Sequence, residues 1–357
     1  MITSQRMKIV ALLAAWVFAM PAPAHARSGS AGYARRADVR EFAHEMAAET
    51  GMPAQSILAT LAAARYQPKI VELMNRPLLA PPKWFEYAPQ FLNAGRIAAG
   101  VAFWDANADA LARAQAQFGV PAEIIVAVLG VETYWGRITG RYRALDALAT
   151  LAFDYPRRAA FFRGELKALL LLAREQHVPA AALQGSFAGA MGLPQFMPAS
   201  YRDYAIDFDG DGRADLWNDA ADAIGSVANF LALHDWASGQ PVLLDASVDA
   251  SARDGLMQKL DGGISERRTL DAWRQEGIAV ATPASLADDP VGILLLENAG
   301  AAASLYVACN NFYVITRYNK SRLYAAAVWQ LANAVEAARQ RETASAARPA
   351  VQGSALY

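Results

Sequence analysis

The chain has 357 residues, of which 54% are hydrophobic and 19% charged, and its formal net charge is −1. That length holds one large domain or a few smaller ones, and the near-zero charge gives no global field for nucleic acid. Cys309 is the only cysteine, which excludes an intramolecular disulfide and any cysteine-based metal site.

Residues 1–26 read as a secretory signal. Arg6 and Lys8 form a basic start, Ile9 to Met20 is an apolar run too short to span a bilayer, and Ala24-His25-Ala26 is a small-x-small cleavage site. This segment has no cysteine to carry a lipid, and no later apolar run is long enough to span a bilayer. The expected product is a soluble exported protein without a membrane anchor, located in the periplasm. Residues 27–37 are rich in Ser, Gly and Arg and are expected to be flexible.

From Asp38 the pattern is helical, with Val39, Phe42, Ala43 and Met46 at helical spacing before a stop at Gly51-Met52-Pro53. A second helix is expected over 54–64, then a Pro-rich break. Trp84-Phe85-Glu86-Tyr87 opens the next helical region, and the Ala-rich run 101–118 reads as strongly helical. Pro121 suits a first helical turn, where its missing N–H costs nothing. A buried helix therefore runs from there to about Gly136, with Glu132 in its last turn among apolar neighbours. Such a carboxyl is disfavoured as an anion, as a general acid requires. The same spacing also allows a structural ion pair with Arg137, Arg141 or Arg143.

Residues 144–175 read as two helices joined at Phe153-Asp154-Tyr155-Pro156-Arg157-Arg158. That joint is either a solvated corner or a cationic wall for an acidic substrate. Between Gly185 and Tyr201, glycines and prolines interrupt any long helix. Ser186 and Gln195 there are neutral hydrogen-bonding groups of the kind sugar sites use, although a packed Gly-rich turn explains the stretch as well. Asp207-Phe208-Asp209-Gly210-Asp211-Gly212-Arg213-Ala214-Asp215 matches an EF-hand calcium loop with Gly in sixth place. Asn218 stands where the closing glutamate belongs, so Asp219 or Asp222 is left to complete the shell. The alternative is an acidic turn held by Asx bonds.

An amphipathic helix is expected over 222–234. Composition then shifts, and the β-prone runs 242–244, 278–280 and 291–296 indicate a small β-containing subdomain over 240–303. Asn311 to Asn319 reads as a strand running into a loop, and a last helix is expected over 321–339. In domain terms, a helical region over 38–239 holds the acidic loop (207–222), the β-containing part covers 240–303, and 304–341 returns to the helical part. The tail 342–357 is expected to be disordered. Cys309, in an apolar context, reads as a buried small residue rather than a reactive thiol.

Several stretches together resemble one family: Gly130-Val131-Glu132-Thr133-Tyr134-Trp135-Gly136-Arg137, Ala147 to Leu151, Tyr155-Pro156-Arg157-Arg158, Gly185 to Gly192, Gln195-Phe196-Met197-Pro198 and Asn311 to Asn319. From about Val39 to Val335 the chain is similar to the membrane-bound lytic murein transglycosylase B family of Gram-negative bacteria. The resemblance implies a mainly α (α+β) fold, with a lysozyme-like catalytic core, an N-terminal or inserted helical domain and a small β-containing subdomain. It implies cleavage of the β-1,4 bond between N-acetylmuramic acid and N-acetylglucosamine, leaving a 1,6-anhydro end, with Glu132 as the one acid/base. It places Tyr87, Arg157, Arg158, Phe161, Ser186, Gln195, Phe196, Phe230, Tyr318, Asn319 and Tyr324 in substrate binding. It gives a structural calcium ion to Asp207, Asp209, Asp211, the Arg213 carbonyl and Asp222, with no catalytic cofactor.

Two departures stand out. Phe161 and Phe230 occupy positions that are tyrosine in the family, and one extra residue lies between Trp217 and Asp222. The expected partners are peptidoglycan glycan strands and other cell-wall enzymes, with no nucleic acid, and the expected state is a monomer. Ordinary glycosidases need two carboxylates. Asp154 and Glu165 are candidates for the second, but both lie near arginines and read as ion-pair partners. The rival readings are a lysozyme-like muramidase and a catalytically silent peptidoglycan-binding protein.

Overall fold

The computed structural model describes residues 32–76, 81–281, 286 and 289–346. The signal segment and the last residues of the tail lie outside these. In chain order the helices are α1 (Ala37–Thr50), α2 (Ala54–Ala62), α3 (Pro68–Met74), α4 (Trp84–Tyr87), α5 (Ala94–Ala106), α6 (Ala108–Phe118), α7 (Ala122–Thr133), α8 (Ala144–Asp154), α9 (Ala159–Glu175), α10 (Pro198–Tyr204) and α11 (Ala220–Leu233). They continue with α12 (Arg253–Gln258), α13 (Leu270–Gln275), α14 (Asn310–Tyr318) and α15 (Arg322–Ala346). The strands are β1 (Tyr142–Arg143), β2 (Gln184–Gly185), β3 (Leu243–Val248), β4 (Arg268–Thr269), β5 (Ile278–Val280), β6 (Pro290–Leu296) and β7 (Ser304–Ala308).

The chain forms two compact units. One comprises Lys83–Ala88 and Gly239–Trp329; the other takes the remaining described residues. The larger unit is helical. Its centre is α8, where every residue from Ala144 to Phe153 is buried, and α7, buried continuously from Ile124 to Gly130. Helices apolar on all sides are core helices. Among the described residues no single helix is long and apolar enough to cross a membrane.

The polar groups of α8 are all used. Asp146 accepts from Arg65 N at 3.0 Å and from Gln67 Nε2 at 3.3 Å, and Thr150 Oγ1 accepts from Gln67 N at 3.0 Å. Asp154 pairs with Arg36 at 2.6 Å and accepts from Tyr33 OH at 2.7 Å. The segment linking α2 to α3 is thereby fastened to the core by side chains, because it has no regular backbone partner there.

The smaller unit holds a five-stranded antiparallel sheet in the order β4-β6-β7-β3-β5. The β-prone runs 278–280 and 291–296 lie in β5 and β6, and the run 242–244 enters β3 at Leu243. Trp273, Ile278, Val291, Ile293, Val307 and Cys309 form its core, and Trp273 Nε1 donates to Val291 O at 3.0 Å. Cys309 is buried, and that burial pushes its thiol up to about 12.

Three local expectations are corrected. The run 101–118 is two helices, because Asn107 breaks it: its Nδ2 donates to Phe103 O at 2.8 Å, competing with the helical ladder. Asn311 to Tyr318 is helical rather than a strand. Its buried residues, Asn311, Phe312, Val314 and Ile315, follow helical spacing, and the aromatic and β-branched content masked that period. The last helix runs to Ala346, so the segment 342–346 expected to be disordered is helical.

Thr150→Val keeps the side-chain shape but removes the acceptor of the Gln67 N–H. We expect a loss of roughly 1–3 kcal/mol in urea unfolding. An unchanged midpoint and slope would remove this bond from the account of how α8 holds the N-terminal segment.

Candidate active site

Helix α7 ends in an unusual way. Tyr134, Trp135 and Gly136 take φ of 55°, 52° and 83°, three left-handed residues in succession. Tyr134 and Trp135 are not glycines, so this conformation costs on the order of 1–2 kcal/mol for each. The turn is held in three ways. The N–H groups of Tyr134 and Trp135 donate back to Gly130 O and Leu129 O, closing the helix. The Trp135 indole donates to Val126 O at 2.9 Å and packs against Gly130, where a Cβ would come within 2.5 Å of the ring. Thr133 Oγ1 accepts from Gly136 N at 3.0 Å and donates to Leu193 O at 2.9 Å. Glu132 is half-buried at this terminus, one residue before the buried Thr133.

Two of the arginines that spacing offered to Glu132 make contacts of their own. Arg143 lies 3.5 Å from Asp146 and donates to Ala181 O and Ala63 O, while Arg137 lies over the Tyr134 ring at 4.7 Å. Arg96, which spacing did not suggest, covers the other end of the same turn. Its guanidinium donates to Gly130 O and lies 4.6 Å from the Tyr134 ring centre. Burial lowers its pKa.

Ser186 and Gln195 lie in one folded loop following β2. Single bridges join Gly185 to Met191 and Met191 to Phe196. Ser186 Oγ accepts from Ala190 N at 3.1 Å and Ala188 N at 3.3 Å, which leaves its proton available to donate elsewhere. Gln195, with φ of 51°, donates Nε2 to Thr139 O and Gly192 O, each at 3.0 Å. Its amide oxygen remains as the acceptor. The Thr133–Leu193 and Gln195–Thr139 bonds bring this loop beside the α7 terminus.

Phe196 and Phe230 pack at 5.7 Å, and Phe230 stacks on His234 at 4.1 Å. Both phenylalanines are buried. Arg158 lies 4.3 Å over Phe161, which is exposed, and Arg157 is exposed on the joint between α8 and α9. In the smaller unit, Tyr318 and Tyr324 stack at 6.4 Å, 13° from parallel, and Asn319 accepts from Ser321 N. Tyr87 is buried next to Trp84.

The two other carboxylates of interest have different fates. Asp154 is an ion-pair partner, as expected, but of Arg36. For Glu165 the expectation is corrected. Among the described residues it makes no ion pair; it is buried and accepts from Ala199 N at 3.0 Å in the first turn of α10. Desolvation raises its pKa, and the Ala199 bond offsets only part of that.

The acidic loop is folded on its own carboxylates. Asp207 accepts from Gly210 N, Asp211 N and Gly212 N at 2.7–3.1 Å. Desolvation opposes the carboxylate, but those bonds hold Asp207 below the usual range. The carboxylates of Asp207, Asp209 and Asp211 lie within 4.8 Å of one another, and so do those of Asp209, Asp219 and Asp222. Such convergence of oxygens fits a hard cation. Asp222 is buried and accepts from Phe208 N at 2.6 Å and Asp215 N at 2.7 Å, so it organises the loop as well as offering a ligand. Asp219 caps α11 through Ala221 N and Asp222 N.

A half-buried carboxyl on a rigid helix end, near a loop of neutral donors and acceptors, has the makings of a saccharide site. Residues 34–333 match the transglycosylase SLT domain family, and the chain belongs to that family. It is 40% identical over 316 residues to the membrane-bound lytic murein transglycosylase B of Escherichia coli K12, covering 86% of this chain and 85% of that one. The crystal structure of the soluble lytic transglycosylase SltB1 from Pseudomonas aeruginosa superposes with a TM-score of 0.80 at 44% identity, covering 85% of this chain and 99% of that one. The Escherichia coli lytic transglycosylase Slt35 in complex with calcium superposes with a TM-score of 0.77 at 40% identity, covering 86% and 95%. The fold is that of the lytic transglycosylases, α+β with a lysozyme-like core.

Glu165→Gln tests whether a second carboxyl takes part, and activity should be retained. A raised folded-state pKa means the folded chain holds more protons than the unfolded chain between the two values. Stability is therefore lost as pH rises from the unfolded pKa, about 4.3, through the folded one. The variant's stability advantage over the parent should be absent near pH 4 and grow toward neutrality. Loss of turnover in a folded E165Q would return Glu165 to the chemistry.

Proposed function

We propose that the chain is a lytic murein transglycosylase in which Glu132 alone does the acid and base work. The observation that supports this reading is the rigid α7 terminus that carries Glu132, to which the loop of Ser186 and Gln195 is tied through Thr133 and Thr139, while Asp154 and Glu165 are engaged elsewhere. The protonated Glu132 gives its proton to the leaving glycosidic oxygen of the N-acetylglucosamine. The muramoyl acetamido oxygen stabilises the anomeric carbon as the bond breaks. The 6-hydroxyl of the same muramoyl residue then attacks that carbon, and its proton passes to the Glu132 carboxylate. The acid form is restored without water, and the product carries a 1,6-anhydro ring.

In this reading Ser186 donates to, and Gln195 accepts from, the amide and hydroxyl groups of the glycan. Phe161 supplies an exposed ring, with Phe196 and Phe230 behind the binding surface. Arg157 and Arg158 meet the lactyl or peptide carboxylates. Tyr87, Tyr318, Asn319 and Tyr324 are further glycan-binding residues in this reading. A calcium ion in the loop of Asp207, Asp209, Asp211, the Arg213 carbonyl and Asp222 is structural. Export to the periplasm, through the signal segment, is part of the same proposal.

Glu132→Gln should lower the rate of clearing murein sacculi by about two to four decades, the usual contribution of a general acid. Mass analysis of the parent's products should find muropeptides one water lighter than hydrolysis products, and a majority of reducing muramic acid ends would instead make the protein a muramidase. Separately, a chelator should lower the melting temperature, with calcium restoring it. No shift in either direction would remove the ion from the acidic loop.

A further inference from the structure

The acidic loop and the end of α7 are far apart in sequence, yet a short run of hydrogen bonds joins them. Within the loop, Asp215 N donates to Asp222, and Asp215 Oδ1 accepts from Trp217 N at 3.0 Å and Asn218 N at 3.1 Å. These bonds fix the backbone on both sides of Leu216. Leu216 O in turn accepts from Leu193 N at 2.7 Å. The approach is close because residue 192 is glycine: at φ 71°, a Cβ there would lie 2.5 Å from that same carbonyl. The other backbone group of Leu193, its carbonyl, accepts from Thr133 Oγ1 at 2.9 Å, and Thr133 Oγ1 accepts from Gly136 N. A second tie runs alongside, since Trp217 Nε1 donates to Gln184 O at 2.9 Å, two residues before Ser186.

We propose that Thr133 is a positioning residue that couples the acidic loop, through the backbone of Leu193, to the helix end bearing Glu132. The hydroxyl of Thr133 is the only side-chain atom in the sequence Leu216 O, Leu193 N–H, Leu193 C=O, Thr133 Oγ1, Gly136 N–H. It sits next to Glu132 and spans the left-handed turn that fixes where α7 stops. A cation that stiffens the loop holds Leu216, and Leu216 holds Leu193. Leu193 and Thr133 then narrow the range of positions open to the Glu132 carboxyl. A buried threonine next to a functional glutamate would otherwise read as helix packing. Its bonding marks it out: its stronger bond leaves its own helix for a loop carbonyl, and its weaker one returns to Leu129 O at 3.3 Å.

The proposal rests on Glu132 being the acid/base, and hydrogen exchange tests the coupling independently of activity. With calcium chloride added to the chelated chain, the Leu193 and Gly136 amides should both exchange more slowly. In Thr133→Val the Leu193 response should persist while the Gly136 response disappears. Thr133→Ser should restore both. In turnover of sacculi, T133V should lower kcat by between about ten- and a hundredfold with KM little changed, and T133S should recover most of it. The coupling is overturned if calcium protects Gly136 equally in T133V. It is also overturned if calcium leaves Leu193 unaffected in the parent, or if T133S is as impaired as a folded T133V. Loss of the acid/base reading itself would show in E132Q and not in these exchange rates.

Discussion

The site depends on an expensive turn being made rigid. A helix that ends in a single left-handed glycine is ordinary, but one that ends in Tyr134, Trp135 and Gly136, all left-handed, persists only where surrounding contacts over-determine it. Here the overdetermination is visible. The Trp135 indole needs the bare surface of Gly130 and reaches back to Val126 O, with Phe103 stacked 6.2 Å away. Arg96 adds a cation to a helix C-terminus, where the peptide dipoles favour one. In the proposed reaction, the Glu132 carboxyl carried by this terminus has little room to relax away from the geometry required of an acid/base. Orientation of this kind is among the largest effects an enzyme can use.

Several carboxylates of the helical unit serve structure. Asp154 is held by Arg36 and Tyr33, Asp146 by the segment that links α2 and α3, and Glu165 by the first turn of α10. The carboxylates of the acidic loop fold their own backbone before any ion is considered. The proposed reaction, whose nucleophile belongs to the substrate, needs only one acid. A two-carboxylate hydrolase would need a second acid placed across the glycan from the first.

Much of this was legible in the residues. Pro121 and the apolar run after it marked α7, alternate aspartates marked the loop, and β-branched runs marked β3, β5 and β6. Where the reading failed, a side chain's local chemistry had been outweighed. Asn107 took a helical carbonyl for itself, and the aromatics of α14 resembled a strand until burial revealed their spacing. Glu165 was misassigned because proximity to arginines in sequence says nothing about which backbone N–H lies in front of a carboxylate. The contacts between Leu216, Leu193 and Thr133 leave the faintest trace of all. Two of the groups involved are peptide groups that every residue carries, so only Gly192 and the hydroxyl of Thr133 signal them. The role of Arg96 was hidden for a similar reason, since its target, Gly130 O, is main chain.

The division of the chain also has a bearing on how the protein is made. The smaller unit draws a short piece, Lys83–Ala88, from early in the sequence, and Phe85 N donates to Glu297 O at 3.2 Å to hold it there. The larger unit closes on its far end, where Arg339 pairs with Asp105 at 2.7 Å and Gly100 leaves room for Val335. Neither unit can be completed from the first half of the chain. Pairings this distant in sequence carry a loop-closure cost before any contact repays it, so folding should be slow and late rather than stepwise from the N-terminus. A nascent chain therefore stays open until α15 is available, and loss of that helix would leave exposed the core it covers rather than a shorter working protein.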